Sequence, residues 1–262
     1  MAIINSPNIV NDNLVLCLDA RNPKSYSGSG NTWKNIVNLQ NSATLISTSF
    51  SSNFLGAISF NGSSSRGSII SPISSSSNQT YEIWTNAISS ENANSSYAYL
   101  LHINGLNNTI GSSYMTIGIN PSGYYFGGFN GVELDTSFPA FNSNYNQIVL
   151  TWDGSVQKIY VNGVLVNYEN LSSTPQNFSN TLSIGDYSSS SFRMINGNVS
   201  SIKVYDKALS GSEIKTNFNA YRNKFPTYTL VYDEDAQAYF DAVETAGGSF
   251  NLTGIKSRFT EA

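Results

Sequence analysis

The sequence is short of charged residues. Asp, Glu, Lys and Arg make up 11% of its 262 residues, against roughly 25% in a typical globular domain. The polar groups on its surface are therefore expected to come mainly from serine, threonine and asparagine. With a net charge of −4 at pH 7 and no basic stripe, the chain offers no surface for a phosphate backbone. We expect no nucleic-acid partner.

Cysteine and long apolar runs are also scarce. The single cysteine, Cys17, lies in LVLCLDA and has no partner for an internal disulfide, so we expect a small buried side chain. No apolar run is long enough to span a bilayer, and no basic-plus-apolar signal segment follows Met1. These absences predict a protein made in a reducing cytosol, without a membrane partner.

The same scarcity limits the chemistry. With one histidine, His102, and one cysteine, no zinc site can be assembled from those ligand types. A lone histidine in YAYLLHINGL fits a packed or surface position. Glu82 stands alone in TYEIWTNA, which indicates a carboxylate at a strand edge or facing a loop. No nucleophile elbow or phosphate loop is present, so we expect no enzyme, no catalytic residue, no metal and no cofactor.

Alternating strands dominate what is present. In YNQIVLTWDG the residues Ile148, Leu150 and Trp152 recur at every second position, which predicts a strand with these three side chains on its buried face. In KIYVNGVLVN, Asn162-Gly163 supplies the two residues that a type I′ hairpin turn requires. A two-residue turn there pairs Val161 with Val164 and Ile159 with Val166, and places Tyr160 and Leu165 on the opposite face.

Further strands and turn clusters predict the fold class. Many strands and no βαβ rhythm favour an all-β fold, an antiparallel jelly-roll sandwich. The additional strands are predicted at Leu14–Asp19, Ala57–Phe60, Tyr81–Thr85, Tyr97–Ile103, Tyr114–Ile119, Thr181–Ile184 and Val199–Tyr205.

One helix is predicted to close the sandwich. Ser210 and Glu213 have the spacing of a capping box, in which each side chain satisfies a backbone amide at the helix start. An apolar stripe follows at helical spacing, and Pro226 ends the helix. We expect residues 210–225 to lie on the edge or underside of a domain spanning residues 1–225. The stripe consists of Ile214, Phe218, Tyr221 and Phe225.

One aromatic stretch has the composition of a sugar-binding site. NPSGYYFGGFNGVEL places Tyr124, Tyr125 and Phe129 among glycines and asparagines, where ring faces stack on a sugar and amides bond its hydroxyls. We treat these three residues as candidate ligand-binding residues. The alternative is a hairpin whose aromatic side chains belong to the core on one face and cover the sheet on the other.

The last segment, 226–262, differs from the rest. Asp233, Glu234 and Asp235 stand at a predicted helix start, and Gly247-Gly248 ends that helix. A second, shorter helix is predicted near the end of the chain. Helices this short need a surface to pack on, either a partner or the chain's own sandwich. The predicted docking residues are Tyr239, Phe240, Val243, Leu252, Ile255 and Phe259.

The order of these motifs resembles the laminin-G-like group of the concanavalin A-like lectin/glucanase superfamily. The resemblance covers about residues 13–225 and is most specific in VNGVLV and KVYDKALSGSEI. It implies a jelly-roll sandwich that holds sugars or other proteins, without implying an enzyme. Members often carry calcium-binding acidic residues after an FNG-type turn; here Ser63, Ser64 and Ser65 follow. The paired carboxylates of the glycosidase branch are missing as well.

A second resemblance concerns the end of the chain. DEDAQAYFDAVETAGG is similar to a short module found in structural proteins of tailed bacteriophages, often beside a laminin-G-like domain. It implies a virion structural protein, assembled in the host cytoplasm, on the capsid, neck or tail fibre. Its partners would be other virion proteins, further copies of itself and a cell-surface glycan. The alternative is a stand-alone bacterial carbohydrate-binding lectin.

Overall fold

A computed structural model describes residues 9–53, 56–73, 78–89, 97–103, 115–171, 181–187, 193–222 and 224–225. No helix within these segments is long and apolar enough to cross a membrane. The internal contacts divide the chain into two compact units, Met1–Thr227 and Tyr228–Ala262. The second unit lies outside the described residues, and so do all six predicted docking residues of the appendix.

The described residues form sixteen strands and one helix. In chain order these are β1 (Leu14–Asp19), β2 (Thr32–Lys34), β3 (Ser42–Ile46), β4 (Ser49–Ser51), β5 (Ala57–Asn61), β6 (Arg66–Ile70), β7 (Gln79–Ser89), β8 (Ala98–Ile103), β9 (Met115–Ile119), β10 (Tyr124–Phe129), β11 (Val132–Pro139), β12 (Asn146–Trp152), β13 (Val156–Val161), β14 (Val164–Asn170), β15 (Thr181–Ile184), β16 (Asn196–Tyr205) and α1 (Gly211–Arg222).

Two antiparallel sheets form the predicted sandwich. The first has the order β14-β13-β12-β7-β16-β5-β4, with β1 also paired to β16. The second has the order β11-β10-β9-β8-β15-β6-β3-β2. Neighbouring strands are often distant in sequence, as where β7 lies between β12 and β16, so most of the pairing is long-range. All of the strand pairs are antiparallel, as expected for a jelly roll.

The core lies between the two sheets and follows the alternation of the strands. Ile148, Leu150 and Trp152 of β12 belong to it, which confirms the predicted face. The other side of β12 is buried too, since every residue of the strand is buried. The reason is α1, which covers the outer face of the first sheet: Trp84 stacks on Phe218 with ring centroids 5.7 Å apart.

The Asn162-Gly163 turn forms as predicted, with positive φ at both residues. Val161 pairs with Val164 and Tyr160 with Leu165. The predicted partner of Ile159 is wrong, however: an irregularity between Ile159 and Tyr160 shifts the register, and Ile159 faces Asn167. A bulge of this kind places an extra residue in one strand, and the turn sequence alone does not specify it.

The capping box of α1 is also confirmed. The Glu213 backbone N–H donates to Ser210 Oγ at 3.3 Å, and the Ser210 N–H donates to Glu213 Oε2 at 2.9 Å. Ile214, Phe218 and Tyr221 are buried as the apolar stripe requires. The helix packs on the outer face of the first sheet, whereas we expected it on the edge or underside of the sandwich.

Candidate functional site

The outer face of the second sheet carries aromatic side chains where β8 and β10 cross it. Their core-facing neighbours alternate with them: Leu101 and Ile103 of β8 belong to the core, as do Tyr125 and Phe129 of β10. The outward-facing rings form a separate cluster, which we call the aromatic floor. The aromatic floor consists of Tyr97, Tyr99, Phe126 and Tyr187.

Two ring contacts within the aromatic floor are edge to face. Phe126 is nearly perpendicular to Tyr97 at 5.0 Å between centroids, and to Tyr99 at 6.1 Å. Tyr187 lies 4.9 Å from Tyr99. Gly118 makes room for this packing, because a Cβ atom there would lie 2.7 Å from the Phe126 ring. Phe126, Tyr99 and Tyr187 are buried by this packing, at 0%, 5% and 8% exposure, and Tyr97 is the partly exposed ring of the cluster.

Arg193 places a positive charge at the aromatic floor. Its Cζ lies 5.5 Å from the ring centroid of Tyr99 and 5.2 Å from that of Tyr187. Its Nη1 donates to the Tyr99 hydroxyl at 2.8 Å. A guanidinium group has five N–H donors, and this is the one side-chain hydrogen bond that Arg193 makes within the described residues. The Arg193 side chain is half-buried.

Two carboxylates stand on the same face, on the neighbouring strand β11. Glu133 and Asp135 are exposed, while Leu134 between them belongs to the core. Although the residue as a whole is exposed, neighbouring groups partly exclude water from its carboxylate, and this desolvation raises the pKa of Glu133; a hydrogen bond from Tyr97 opposes the change and the charge of Asp135 adds to it. Asn120 Nδ2 donates to Asp135 Oδ1 at 2.8 Å. Amide, carboxylate, phenol and guanidinium groups thus surround the aromatic floor.

His102 lies beneath this cluster and is fully buried. Its Nδ1 is 3.0 Å from Thr116 Oγ1, and its ring lies 4.3 Å from that of Tyr187. Of the packed and surface positions that the sequence allowed, His102 takes the packed one. Among the described residues, no three His, Cys, Asp or Glu side chains form a group suited to a metal ion.

The three residues predicted to bind a ligand do not share a surface. Tyr125 and Phe129 are fully buried in the core, whereas Tyr124 is 38% exposed. Alternation along β10 explains this: Tyr125 and Phe129 face the other sheet, and Phe126 faces outward. This is the alternative arrangement expected from the sequence, with aromatic side chains in the core on one face and covering the sheet on the other, where Phe126 is itself fully buried. The ligand-binding role of the three residues stays a prediction.

Glu82 is neither at a strand edge nor facing a loop, because β7 is a central strand and α1 covers it. Glu82 Oε1 accepts hydrogen bonds from Lys203 Nζ at 2.8 Å and from Trp84 Nε1 at 3.1 Å. Its Oε2 accepts one from Asn217 Nδ2 of α1 at 2.7 Å. Cys17, on β1 next to β16, is buried as expected, and burial raises its pKa to about 11.

The partners of Glu82 are far away in sequence. Lys203 is 121 residues and Asn217 135 residues from it. Both side chains of the Glu82–Lys203 ion pair are completely shielded from solvent. Burial lowers the pKa of the Lys203 amine, but the charge of Glu82 more than offsets this, so the pKa is raised. The first sheet thus holds a sealed polar site beneath α1.

The described fold is similar to solved structures of low identity. It resembles Trypanosoma rangeli sialidase in complex with the inhibitor DANA, with TM-score 0.64 and 14% identity over 80% of this chain and 33% of that one. It also resembles the binding domain of Paraclostridial Mosquitocidal Protein 1, with TM-score 0.63 and 15% identity over 80% of this chain and 53% of that one. This chain therefore spans about a third of the sialidase and about half of the binding domain.

The sequence itself identifies the family. No curated protein matches the chain. Residues 56–215, more than half of the 262 residues, match the sequence model of the Concanavalin A-like lectin/glucanases superfamily. The matched segment lies within residues 13–225, where the resemblance was expected, and the two antiparallel sheets agree with it. The chain belongs to the concanavalin A-like lectin/glucanases superfamily.

Proposed function

We propose that the protein is a non-catalytic adhesion module that binds a glycan on the outer face of its second sheet. The observation that carries this proposal is the partly exposed edge of the aromatic floor, where Tyr97 and the half-buried Arg193 lie beside the exposed Glu133. Sugars combine apolar C–H faces with many hydroxyls, so a site for them pairs aromatic rings with hydrogen-bonding groups. This face offers both kinds of group within a few ångströms.

The positions of the carboxylates support a role without catalysis. Glycosidases place two carboxyl groups on either side of the scissile bond. Glu82 is sealed beneath α1, where a sugar has no access. Glu133 and Asp135 already take part in hydrogen bonds with Tyr97 and with Asn120. Their arrangement serves hydrogen bonding to hydroxyls better than acid–base chemistry on a glycosidic bond.

The solved neighbours are compatible with a binding role. One is described as a binding domain, and this chain covers about half of it. Another is a sialidase, of which the chain covers about a third. So small a share gives no ground for transferring the whole enzyme's activity. The proposal therefore takes binding, and not hydrolysis, as the function of this module.

The proposed setting is the virion of a tailed bacteriophage. It rests on the sequence DEDAQAYFDAVETAGG and its similarity to a module of phage structural proteins. In this setting the sandwich faces outward, and the partners are other virion proteins and further copies of the chain. A stand-alone bacterial lectin would share the same glycan-binding face but would have no attachment to a particle.

A glycan array with matched variants tests the binding proposal. We expect the parent protein to bind a defined group of glycans, and Tyr97→Ala and Arg193→Ala each to weaken that binding about tenfold, equivalent to about 1.4 kcal/mol. Arg222→Ala serves as the control, since Arg222 is an exposed arginine on α1. A parent that binds no glycan, or variants that bind as well as the parent, would contradict the proposal.

A separate experiment tests the virion setting. Antibodies to the protein should label purified phage particles, and the isolated protein should be oligomeric in light scattering. A monomer that is absent from particles yet retained on a polysaccharide column would support the bacterial lectin instead. The two experiments are independent, because glycan binding is expected in both settings.

A further inference from the structure

The sealed site beneath α1 brings an amine and a carboxamide to one carboxylate. Glu82 Oε1 accepts a hydrogen bond from Lys203 Nζ at 2.8 Å, and Glu82 Oε2 accepts one from Asn217 Nδ2 at 2.7 Å. The three side chains come from β7, β16 and α1. None of them is accessible to solvent. The Glu82 carboxylate therefore contacts both an amine, which can act as a nucleophile, and the carboxamide that this amine can attack.

An aromatic ring lies beside the amine of the site, and hydrogen bonds polarise the carboxamide. The Lys203 Nζ atom lies 4.0 Å from the ring centroid of Tyr221. Asn217 Nδ2 also donates to the Tyr205 hydroxyl at 2.9 Å. Asn217 Oδ1 accepts the backbone N–H of Val10 at 2.8 Å. An amide N–H at that oxygen stabilises the negative charge that develops on a carbonyl under attack.

We propose that Lys203 and Asn217 become joined by an intramolecular isopeptide bond, with Glu82 as the proton shuttle. Glu82 accepts a proton from Lys203 Nζ, and the neutral amine attacks Cγ of Asn217. The Nζ–Cγ bond forms and the Cγ–Nδ2 bond breaks. Glu82 accepts a second proton from Nζ and returns one to Nδ2, so ammonia leaves and Glu82 ends protonated. The step needs no oxidant, reductant or co-reactant.

Physical reasons favour this reaction in this place. A buried ion pair carries a large desolvation cost, and the reaction replaces it with a neutral amide and a neutral acid. Attack requires Nζ to come within about 3–3.5 Å of Cγ, and the shared carboxylate holds the two side chains as neighbours. Loss of ammonia to solvent makes the bond permanent. The link would fasten α1 to β16 in a chain whose single cysteine cannot form an internal disulfide.

The mass of the intact, denatured protein tests the proposal. We expect the parent to be lighter than its sequence mass by one ammonia molecule. Glu82→Gln and Lys203→Met should each have the full mass of their sequence. Lys207→Met is the matched control, because Lys207 forms ion pairs with Asp12 and Glu213 at the surface and should keep the mass deficit.

Tryptic peptide mapping locates the bond. A modified Lys203 resists trypsin, so the parent should yield residues 194–207 joined to residues 216–222, a branched peptide identified by fragmentation. This step matters because an asparagine–glycine pair that closes to a succinimide also loses ammonia. The mass and the tryptic peptides of the parent protein are enough to decide the proposal, even if the variants do not fold. Recovery of residues 194–203 and 216–222 as separate peptides from a full-mass parent would overturn the proposal.

Discussion

Asn162 does more for the fold than its place in a two-residue turn requires. Its side chain is buried, and its Oδ1 accepts the backbone N–H of Gln147 at 2.9 Å while its Nδ2 donates to Asn146 Oδ1 at 3.1 Å. The next residue, Gly163, packs against Phe218 of α1, since a Cβ atom there would lie 3.2 Å from the Phe218 side chain. This turn therefore joins β12, β13 and α1.

Replacing Asn162 with alanine should be costly. The change leaves the buried Gln147 N–H without its acceptor, for which we expect a loss of about 1–3 kcal/mol in the free energy of unfolding. Urea denaturation measures it. Asn130→Ala is the matched control, because Asn130 also has positive φ before a glycine but is exposed. Equal losses in the two variants would show that backbone conformation alone accounts for the effect.

The residues predicted correctly are those whose signal is local in the sequence. The Asn-Gly turn and the capping box are local signals, and both were predicted correctly. The environment of Glu82 is not local: its amine partner is 121 residues away and its amide partner lies on α1. Alternation places Glu82 on one face of β7 but does not reveal that a helix covers that face. The missed contact therefore depends on tertiary packing.

At the level of elements, α1 is fixed at its start by a small network of charges. Lys207 Nζ bonds Glu213 Oε1 at 2.7 Å and Asp12 Oδ2 at 2.9 Å. Burial raises the pKa of Glu213, but hydrogen bonds from Lys207 and from the Ser210 backbone more than offset this, so its pKa is lowered. The carboxylate form of Glu213 is thus the one that stabilises the helix.

This lowered pKa predicts how stability depends on pH. The contribution of Glu213 is fully present above the pKa of an unfolded glutamate, about 4.3, and is lost as pH falls through the lower folded value. Glu213→Gln should therefore destabilise the protein at pH 7 and lose its effect at pH 2. Denaturation at both values measures this, with the exposed Glu169→Gln as control. A Glu213→Gln effect independent of pH would contradict the account.

At the scale of the whole molecule, the two outer faces of the sandwich differ. The first sheet is covered by α1 and holds sealed polar groups, whereas the second carries the aromatic floor with charged groups around it. The sequence predicted the all-β fold and its family. It did not predict the residues of the floor, because Arg193 and Tyr99 are 94 residues apart and register shifts occur in both β8 and β10.

Hydrogen–deuterium exchange of the protein in solution, measured with and without a glycan that the array has identified, tests the central claim most directly. The account predicts slower exchange in β8, β10 and β11 on binding, with no change in α1 or β7. Arg193→Ala should remove this protection at the same glycan concentration. Protection confined to α1 and the first sheet, with β8, β10 and β11 unchanged, would contradict the assignment of the second sheet's outer face as the binding site.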